Sequence, residues 1–575
     1  MMLAATCFIF GLSAAVGVEA EGWQLQSPTG EQDITLTFAV RQQNKAALLT
    51  HFEAVSDPRD SEYGRHLSFQ DVNELLAPKV ENVAIVEELL AGLSLHRTLN
   101  SDFIMAATNV SHAERLLGTK YDQYCHESSG CFLRSRRPQL HPSLAAAVDF
   151  VAPWDQPLPM SRRTTTTRNN NSKNNSNNYN KKKNNNMLVE TTPKWLRDTY
   201  SVGGARGSAA SNKQAAFASD NEKYSPKNLQ TFFRKFWAKG AGHSVSKTVG
   251  DGPTTGLSPL GEGDMDVQYL MAMGNNVPTE WWSFAGTAPG APSVEPFLKF
   301  LITLANMSDA PWVISVSYGD AEDAVPIEYA ERCHVEFQKA GARGISLLFG
   351  SGDGGVAGPR PYSFCGDVGC AAGGPGTGTC FVPTWPASSP YVTAVGGTRS
   401  SRGKQVAEPQ STGGFSYRWP RPTYQEKSVS AYLEKNGSIP LPQSISFNAK
   451  GRAFPDVSAM FEKYQVVTGL FGGTRSMGGT SASTPVVAGI VSLLNELRLQ
   501  RGSSTLGFLN PLLYQHPQAL NDITDGPDNG ACQKASGGHG FPPATGWDGP
   551  TGLGEPNYQK MAEVVSATAP LQVVI

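Results

Sequence analysis

Histidine is scarce in this chain. Ten occur in 575 residues, and only His243, His334, His516 and His539 lie beyond residue 187. None is set in a pattern that marks a catalytic base. His334 falls within a helical run, and His539 lies in a glycine-rich loop. Net charge is also missing. Lys+Arg number 48 against 50 Asp+Glu, a formal charge of −2, which argues against a nucleic-acid or anionic-membrane partner. Beyond the first twenty residues no stretch is long and apolar enough to span a bilayer, so no membrane span is expected.

The first twenty residues, "MMLAATCFIFGLSAAVGVEA", hold no acid before Glu19, and Val18 and Ala20 fit a small-residue cleavage site. They read as a secretory signal peptide, residues 1–20. Of the eight cysteines, Cys7 would leave with it. In an oxidising compartment the other seven favour disulfides. Cys125–Cys131 is the expected local pair, and Cys532 is expected to bond one of Cys365, Cys370 or Cys380. The odd count leaves at least one thiol free unless it pairs between chains. Sequons at Asn109, Asn170, Asn174, Asn306 and Asn436 fit a glycosylated export product. With 39% hydrophobic residues the chain can bury a large core and should hold more than one domain.

A break falls at "TTTTRNNNSKNNSNNYNKKKNNN", which is polar, repetitive and nearly free of apolar side chains. Such a segment buries too little to fold and reads as a linker over 164–187. It separates residues 21–163 from 188–575. The first unit mixes strand patterns ("DITLTFAV", "DFIMAAT") with helical ones ("KAALLTHFEAV", "VENVAIVEELLAGL", "SHAERLLG"), and Ser68 is placed to cap "FQDVNELL". That order suits a small α+β domain. In the second unit "KQAAFAS", "WVISVSYGD" and "GISLLFGSGD" read as buried strands and "IEYAERCHVEFQKAG" as the helix between the last two. The alternation predicts a doubly wound parallel sheet with its functional groups at the carboxyl ends of the strands.

Three segments carry chemistry. In "GGTSASTPVVAGI" (478–490), Ser481 sits on a glycine turn that runs into an apolar helix. The turn exposes the hydroxyl, and the helix N-terminus adds positive potential. Ser483 is the rival, set deeper in the segment. In "GEGDMDVQYLMAMG" (261–274), Glu262 and Asp266 are spaced i, i+4 and share a helix face. Two acids so placed repel when both are ionised, so the pair tends to hold one proton. Asp353 closes "FGSGDGG" at a strand end, where a neutral carboxyl could donate to an oxyanion. A carboxylate base can work at a pH where histidine, with its pKa of about 6.5, is charged.

Together, "GGTSASTP", the Glu262/Asp266 spacing and "SGDGG" resemble the sedolisins, the serine-carboxyl peptidases. The likeness extends through "YGRHLS" (63–68), "TTPKWLRDTYSV" (191–202), "SVSYGDAEDA" (315–324), "WPASSPYVTAVGGT" (385–398), "GRAFPDVSA" (451–459) and "LGFLNPLLYQ" (506–515). It is nearest to the family's tripeptidyl-peptidase branch. The resemblance implies a subtilisin-like α/β fold for the second unit and a ferredoxin-like propeptide for the first. It implies Ser481 as nucleophile, Glu262 as base, Asp266 as the supporting acid and Asp353 as the oxyanion acid. It further implies an acid exopeptidase that removes tripeptides from peptides with free N-termini, delivered to lysosomes. Its own propeptide would fold against it and be cut off on acidification near Met187–Leu188. Gly478 departs from the nearest branch, which has serine, but matches other members.

"LNDITDG" and "ATGWDGPTGLG" resemble the family's calcium loop, with Asp522 and Asp548 as carboxylate ligands and Ile523, Ala544 and Gly546 at carbonyl positions. Hard oxygen donors without cysteine or histidine suit one structural Ca²⁺. Ala544 stands where relatives have glycine. The strand reading of 315–324 offers an edge for an extended peptide, with Asp320, Glu322 and Asp323 at its end. Asp320 is the candidate partner for a substrate amine.

Overall fold

The structure, a computed structural model, describes residues 24–126, 130–135, 140–153, 190–219, 221–258, 260–288, 294–358, 381–435, 437–442, 446–530 and 539–567. The proposed signal peptide, the asparagine-rich linker, Cys365, Cys370, Cys380, Cys532 and the sequons at Asn170, Asn174 and Asn436 lie outside these residues.

The N-terminal unit is built on β1 (Asp33–Val40), α1 (Lys45–Ser56), β2 (Leu95–Arg97), β3 (Phe103–Asn109) and β4 (Val148–Ala152). The four strands form an antiparallel sheet ordered β4-β1-β3-β2, which is the ferredoxin-like order. Short helices fill the crossovers. The one at Phe69–Leu76 begins with a reciprocal capping box between Ser68 and Asp71, as the sequence suggested. Cys125 and Cys131 are bonded across a hairpin, and among the described residues Cys333 is a free, buried thiol.

The C-terminal unit carries β5 (Gln214–Ala218), β6 (Lys247–Val249), α2 (Glu262–Gly274), β7 (Thr279–Ser283), β8 (Val313–Val316), α3 (Ile327–Ala342), β9 (Ser346–Gly350), β10 (Thr393–Ser401), β11 (Lys404–Ala407), β12 (Val457–Met460) and α4 (Thr480–Leu499). Its main sheet runs β11-β10-β9-β8-β5-β7-β6, with β12 also paired to β10. All pairings are parallel except β10 with β11. Both faces are covered, so the central strands are buried throughout rather than alternating. Alternate residues face opposite cores. Val313 and Leu348 meet Met265, Leu270, Val486 and Ile490 of α2 and α4, whereas Ile314 and Phe349 meet Phe297, Phe300 and Phe337 on the other side.

Close packing of α2 on α4 sets the site. A Cβ at Gly489 would lie 2.6 Å from Met273 Cβ and 2.8 Å from the Gly274 amide nitrogen, so glycine lets the backbones approach. The contact falls at the end of α2 and midway along α4, and the N-termini of the two helices emerge at the same end of the sheet.

The two units share a buried ionic cluster. Arg332 of α3 contacts Asp102 and Asp149 of the N-terminal unit, each at 3.1 Å, and Glu336 at 3.3 Å. Lys339 lies 3.1 Å from Asp102 and 2.7 Å from Glu336. Burial pushes the Asp102 carboxyl up, but Lys339 and Arg332 outweigh it and hold it well below the usual range. Beside this cluster Phe52 of α1 packs on Phe508, and a Cβ at Gly341 of α3 would run into its ring. Nearby, His66 Nε2 lies 2.9 Å from the Thr505 carbonyl oxygen, and Arg498 lies over the Tyr63 ring.

Candidate active site

Four loops at the carboxyl ends of the parallel strands supply the functional groups. Gly261, with φ +92°, turns the chain into α2, which makes Glu262 the first helical residue and puts Asp266 one turn below it. Gly479, with φ +135°, does the same for α4 and places Ser481 in its first turn. The nucleophile candidate and the two acids thus stand at adjacent helix N-termini, where the dipoles favour negative charge. β9 ends just before Ser351–Asp353, and β8 ends just before Ser317.

The structure brings Ser481, Glu262, Asp266 and Asp353 into one site. The Ser481 hydroxyl donates to the Ser317 carbonyl oxygen at 3.4 Å. Ser317 Oγ donates to Asp266 Oδ1 at 2.9 Å and to the Ser481 carbonyl oxygen at 3.2 Å. Burial holds the Glu262 carboxyl up at about 8; the Ser481 hydroxyl, as hydrogen-bond partner, pulls it down, while Asp353 and Glu222 push it up. Asp266 is raised well above the usual range by burial and then by the charge of Glu262. The pair therefore favours a shared proton, as the i, i+4 spacing implied. Asp353 is raised by burial, opposed by two donors from Thr480. A buried carboxyl that stays neutral can act as a hydrogen-bond donor.

Ser483 is not the nucleophile's equal. It is fully buried, and its hydroxyl donates to the Ala459 and Met460 carbonyls at 3.1 and 2.9 Å. His334 is likewise structural. Its Nε2 accepts from Trp385 Nε1 at 3.3 Å, its ring lies against Trp419, and burial pushes it down to about 3.

Residues 320–324 differ from the open acidic edge read from the sequence. Asp320 and Ala321 already pair with Trp385 and Thr384. Asp320 is 7% exposed, and its carboxyl accepts from the Glu295 amide at 3.0 Å. Glu322 turns inward to Ser416 and the amides of Tyr417 and Arg418. Asp323 alone of the three is exposed.

Sequence reasoning missed three groups. Ser317 links Asp266 to the Ser481 backbone. Glu222 is buried, accepts from the Leu260 and Gly263 amides at 2.9 and 3.3 Å and from the Ser258 hydroxyl, and raises both active-site acids. The third is Tyr318, whose hydroxyl is buried without a partner. Ser317 and Tyr318 lie within "SVSYGD", which could have pointed to them; Glu222, far upstream of "GEGDMD", carries no signal of its own.

The expected calcium loop is assembled from two segments. Asp522 Oδ2 accepts from the Gly546 amide at 2.8 Å. Asp548 is fully buried; Oδ2 accepts from the Ala544 amide and Oδ1 from the Thr551 amide and hydroxyl, each at 2.9 Å. Burial, with the nearby Asp522 charge, raises Asp548 well above the usual range. Two carboxylates close enough for the charge of one to act on the other are the kind of oxygen donor that suits a hard divalent cation. Ala544 is not at positive φ, so its backbone does not require glycine. Among the described residues no group of three or more His, Cys, Asp or Glu side chains could hold a metal, so backbone carbonyls would have to complete such a shell. No helix of the described residues is long and apolar enough to cross a membrane.

Residues 21–156 match the family described as Pro-kumamolisin, activation domain, and residues 288–506 match the Subtilase family. Tripeptidyl-peptidase 1 of Rattus norvegicus is 37% identical over 561 residues, covering 95% of this chain and 94% of that protein. Tripeptidyl-peptidase 1 of Homo sapiens is 37% identical over 560 residues, with the same two shares. A solved structure of Pseudomonas sedolisin, a serine-carboxyl proteinase complexed with two molecules of pseudo-iodotyrostatin, is 23% identical. It covers 66% of this chain and 98% of that one at a TM-score of 0.49.

Proposed function

The chain belongs to the sedolisins, the serine-carboxyl peptidases, and from that premise we propose that Ser481, Glu262, Asp266 and Asp353 are its catalytic set. It is a serine peptidase with an N-terminal activation domain on a subtilisin-like one. The observation that carries the assignment is the meeting of a helix-terminal hydroxyl, a coupled carboxyl pair and a third buried acid at one end of the sheet.

Glu262 takes the Ser481 proton as the oxygen attacks the scissile carbonyl. Neutral Asp353 donates to the oxyanion. The proton held by the Glu262–Asp266 pair passes to the leaving amine as the acyl-enzyme forms. Water then attacks that ester, with Glu262 again the base, and the acid product departs. At about 8, Glu262 as it stands here is protonated in acid and has no room for the Ser481 proton, which suits a latent precursor. Processing that lets water reach the carboxyl returns it toward its ordinary range.

The named relatives support tripeptide release from free N-termini as the specificity. Asp320, beside Glu295, is the candidate anchor for the substrate ammonium. Residues 1–20 would be the signal, 21–163 the propeptide, 164–187 the linker and 188–575 the peptidase, with cleavage near Met187–Leu188. The apolar N-terminus, the sequons and the bonded Cys125–Cys131 pair favour the secretory route, and acid chemistry favours the lysosome along it. Asp522 and Asp548, with carbonyls of Ile523, Ala544 and Gly546, would hold one Ca²⁺, which supplies fixed positive charge that ties the two loops.

One experiment tests the whole reading. The purified precursor is acidified, its new N-terminus sequenced, and the product assayed on a free-amine tripeptidyl substrate and an N-blocked longer peptide, beside Ser481→Ala. Activity confined to the free-amine substrate supports the exopeptidase; equal turnover of the blocked peptide makes it an endopeptidase. Activity surviving in Ser481→Ala ends the assignment.

A further inference from the structure

Two buried polar atoms in the site remain uncommitted. Oε1 of Glu262 has no hydrogen-bond partner, and neither has the hydroxyl of Tyr318. One is an acceptor and the other a donor. Leaving both unpaired is unfavourable, so a rearrangement that joins them is favoured.

The backbone brings Tyr318 to the reacting groups. It directly follows Ser317, whose hydroxyl holds Asp266 and whose carbonyl accepts from Ser481. Its ring stands edge-on to Phe217 of β5, with centroids 5.5 Å apart and planes at 80°. That contact seats the ring against the sheet beside the site. The acids acting on the hydroxyl are Glu262 first, then Asp266, Glu222 and Glu295. Three of these already accept from donors: Asp266 from Ser317, Glu222 from Ser258 and two amides, and Glu295 from Ser219. Of these four acids, Glu262 is the one with a fully buried carboxyl oxygen that has no hydrogen-bond partner.

Resting on the assignment of Glu262 as the base, we propose that Tyr318 is a positioning residue for the peptidase reaction. In the activated enzyme its hydroxyl donates to Oε1 of Glu262 and leaves the other carboxyl oxygen for the Ser481 proton. The bond does two things. It fixes the rotation of the carboxyl, and it favours the ionised form, which burial otherwise opposes. A carboxylate at so enclosed a position gains from such a donor, beside the water that processing admits, when it serves as a base in acid.

The test is the pH profile of kcat/KM for acid-activated Tyr318→Phe, which keeps the ring and its packing on Phe217. A free-amine tripeptidyl peptide is the probe. Without the donor the acid limb moves to higher pH by at least about half a unit, since the base is then harder to ionise. kcat falls several-fold, while KM changes less than about twofold. A profile that superimposes on that of the unmodified enzyme overturns the proposal, as does a uniform loss with the limb unmoved. If Tyr318→Phe does not accumulate, 3-fluorotyrosine at 318 is used instead. Its more acidic phenol is the stronger donor, so the limb moves to lower pH, and an unmoved limb again overturns the proposal. Glu262→Gln separates the two levels of inference. If it retains activity, the base assignment has failed. If it is inactive while the Tyr318 variants leave the limb in place, the tyrosine's role alone has failed.

Discussion

Asp353 and Thr480 are joined twice: the amide and the hydroxyl of Thr480 both donate to Oδ1 of Asp353, at 2.8 and 3.0 Å. The residue before the nucleophile therefore orients the oxyanion acid and leaves Oδ2 to carry its proton. Oδ2 lies where glycine leaves space, since a Cβ at Gly479 would sit 2.8 Å from it, at φ +135°. Gly479→Ala is expected to displace this carboxyl and add about 1–3 kcal/mol of backbone strain. Asp353→Ala should lower kcat by roughly 10²–10³-fold. Steady-state kinetics on the processed enzyme check both, and near-normal kcat in Asp353→Ala would remove the oxyanion role.

Ser481 and Ser483 separate chemistry from structure. Ser481→Ala is expected to cut kcat by roughly four orders of magnitude or more with little effect on Tm. Ser483→Ala gives up bonds to two buried carbonyls and should cost about 1–3 kcal/mol while leaving kcat within a few-fold. Thermal melts and turnover of the two variants side by side decide, and a reversal of the pattern moves the nucleophile to Ser483.

The Glu262 carboxyl sets a stability slope. Its folded pKa, about 8, lies above the ordinary 4.5. The fold thus binds a proton that the unfolded chain has lost. The contribution is full below pH 4.5 and is lost as pH rises through 8. In an inactive Ser481→Ala precursor, Tm should fall between pH 5 and 8, and adding Glu262→Gln should make that fall shallower. Equal slopes in the two proteins would contradict the burial of this acid.

His66 gives the opposite slope. Burial against the C-terminal unit pushes its ring down from 6.5 to about 4, with Arg498 and His51 adding like charge. Its contribution to docking is present above pH 6.5 and lost as pH falls through 4. The Asp102 carboxyl at the same interface stays ionised over that range, because Lys339 and Arg332 outweigh its burial. His66→Gln should therefore shift the midpoint of self-processing to lower pH by about half a unit. Electrophoresis of precursor held at stepped pH values reads that midpoint, and no shift would place the acid-sensitive contact elsewhere.

Calcium removal tests the C-terminal loops. A chelator should lower Tm by several degrees, and excess Ca²⁺ should restore it, since a ligand that binds only the folded state stabilises by mass action. Asp548→Asn should abolish the response. Differential scanning calorimetry with and without chelator checks this, and an unchanged Tm would leave the two aspartates as loop fasteners only.

Much of the fold was legible because it rests on local rules. The strand read at 33–40 is Asp33–Val40, the helix capped by Ser68 is Phe69–Leu76, and the helix read at 327–341 is Ile327–Ala342. Glu262, Asp266 and Ser481 were legible because each sits in a short pattern that a glycine turn and a helix start require. Tyr318, Glu222 and the Arg332 cluster were not. Their meaning depends on partners such as Asp102, 230 residues from Arg332, and no periodicity carries that information. The edge at 320–321 failed for the same reason. Its pairing with Thr384–Trp385 is a long-range choice of the sheet, invisible in an acidic run.

Gly341 serves the docked activation domain, because only a missing side chain admits the ring of Phe52 onto α3. Once that domain is cut away, the last turn of the helix keeps the notch where the Phe52 ring lay, and with it a residue that loses more backbone freedom on folding than alanine does. The active peptidase thus spends its working life slightly weaker than it could be, marked by an association it has already ended. Filling the notch would toughen the finished enzyme and spoil the making of it.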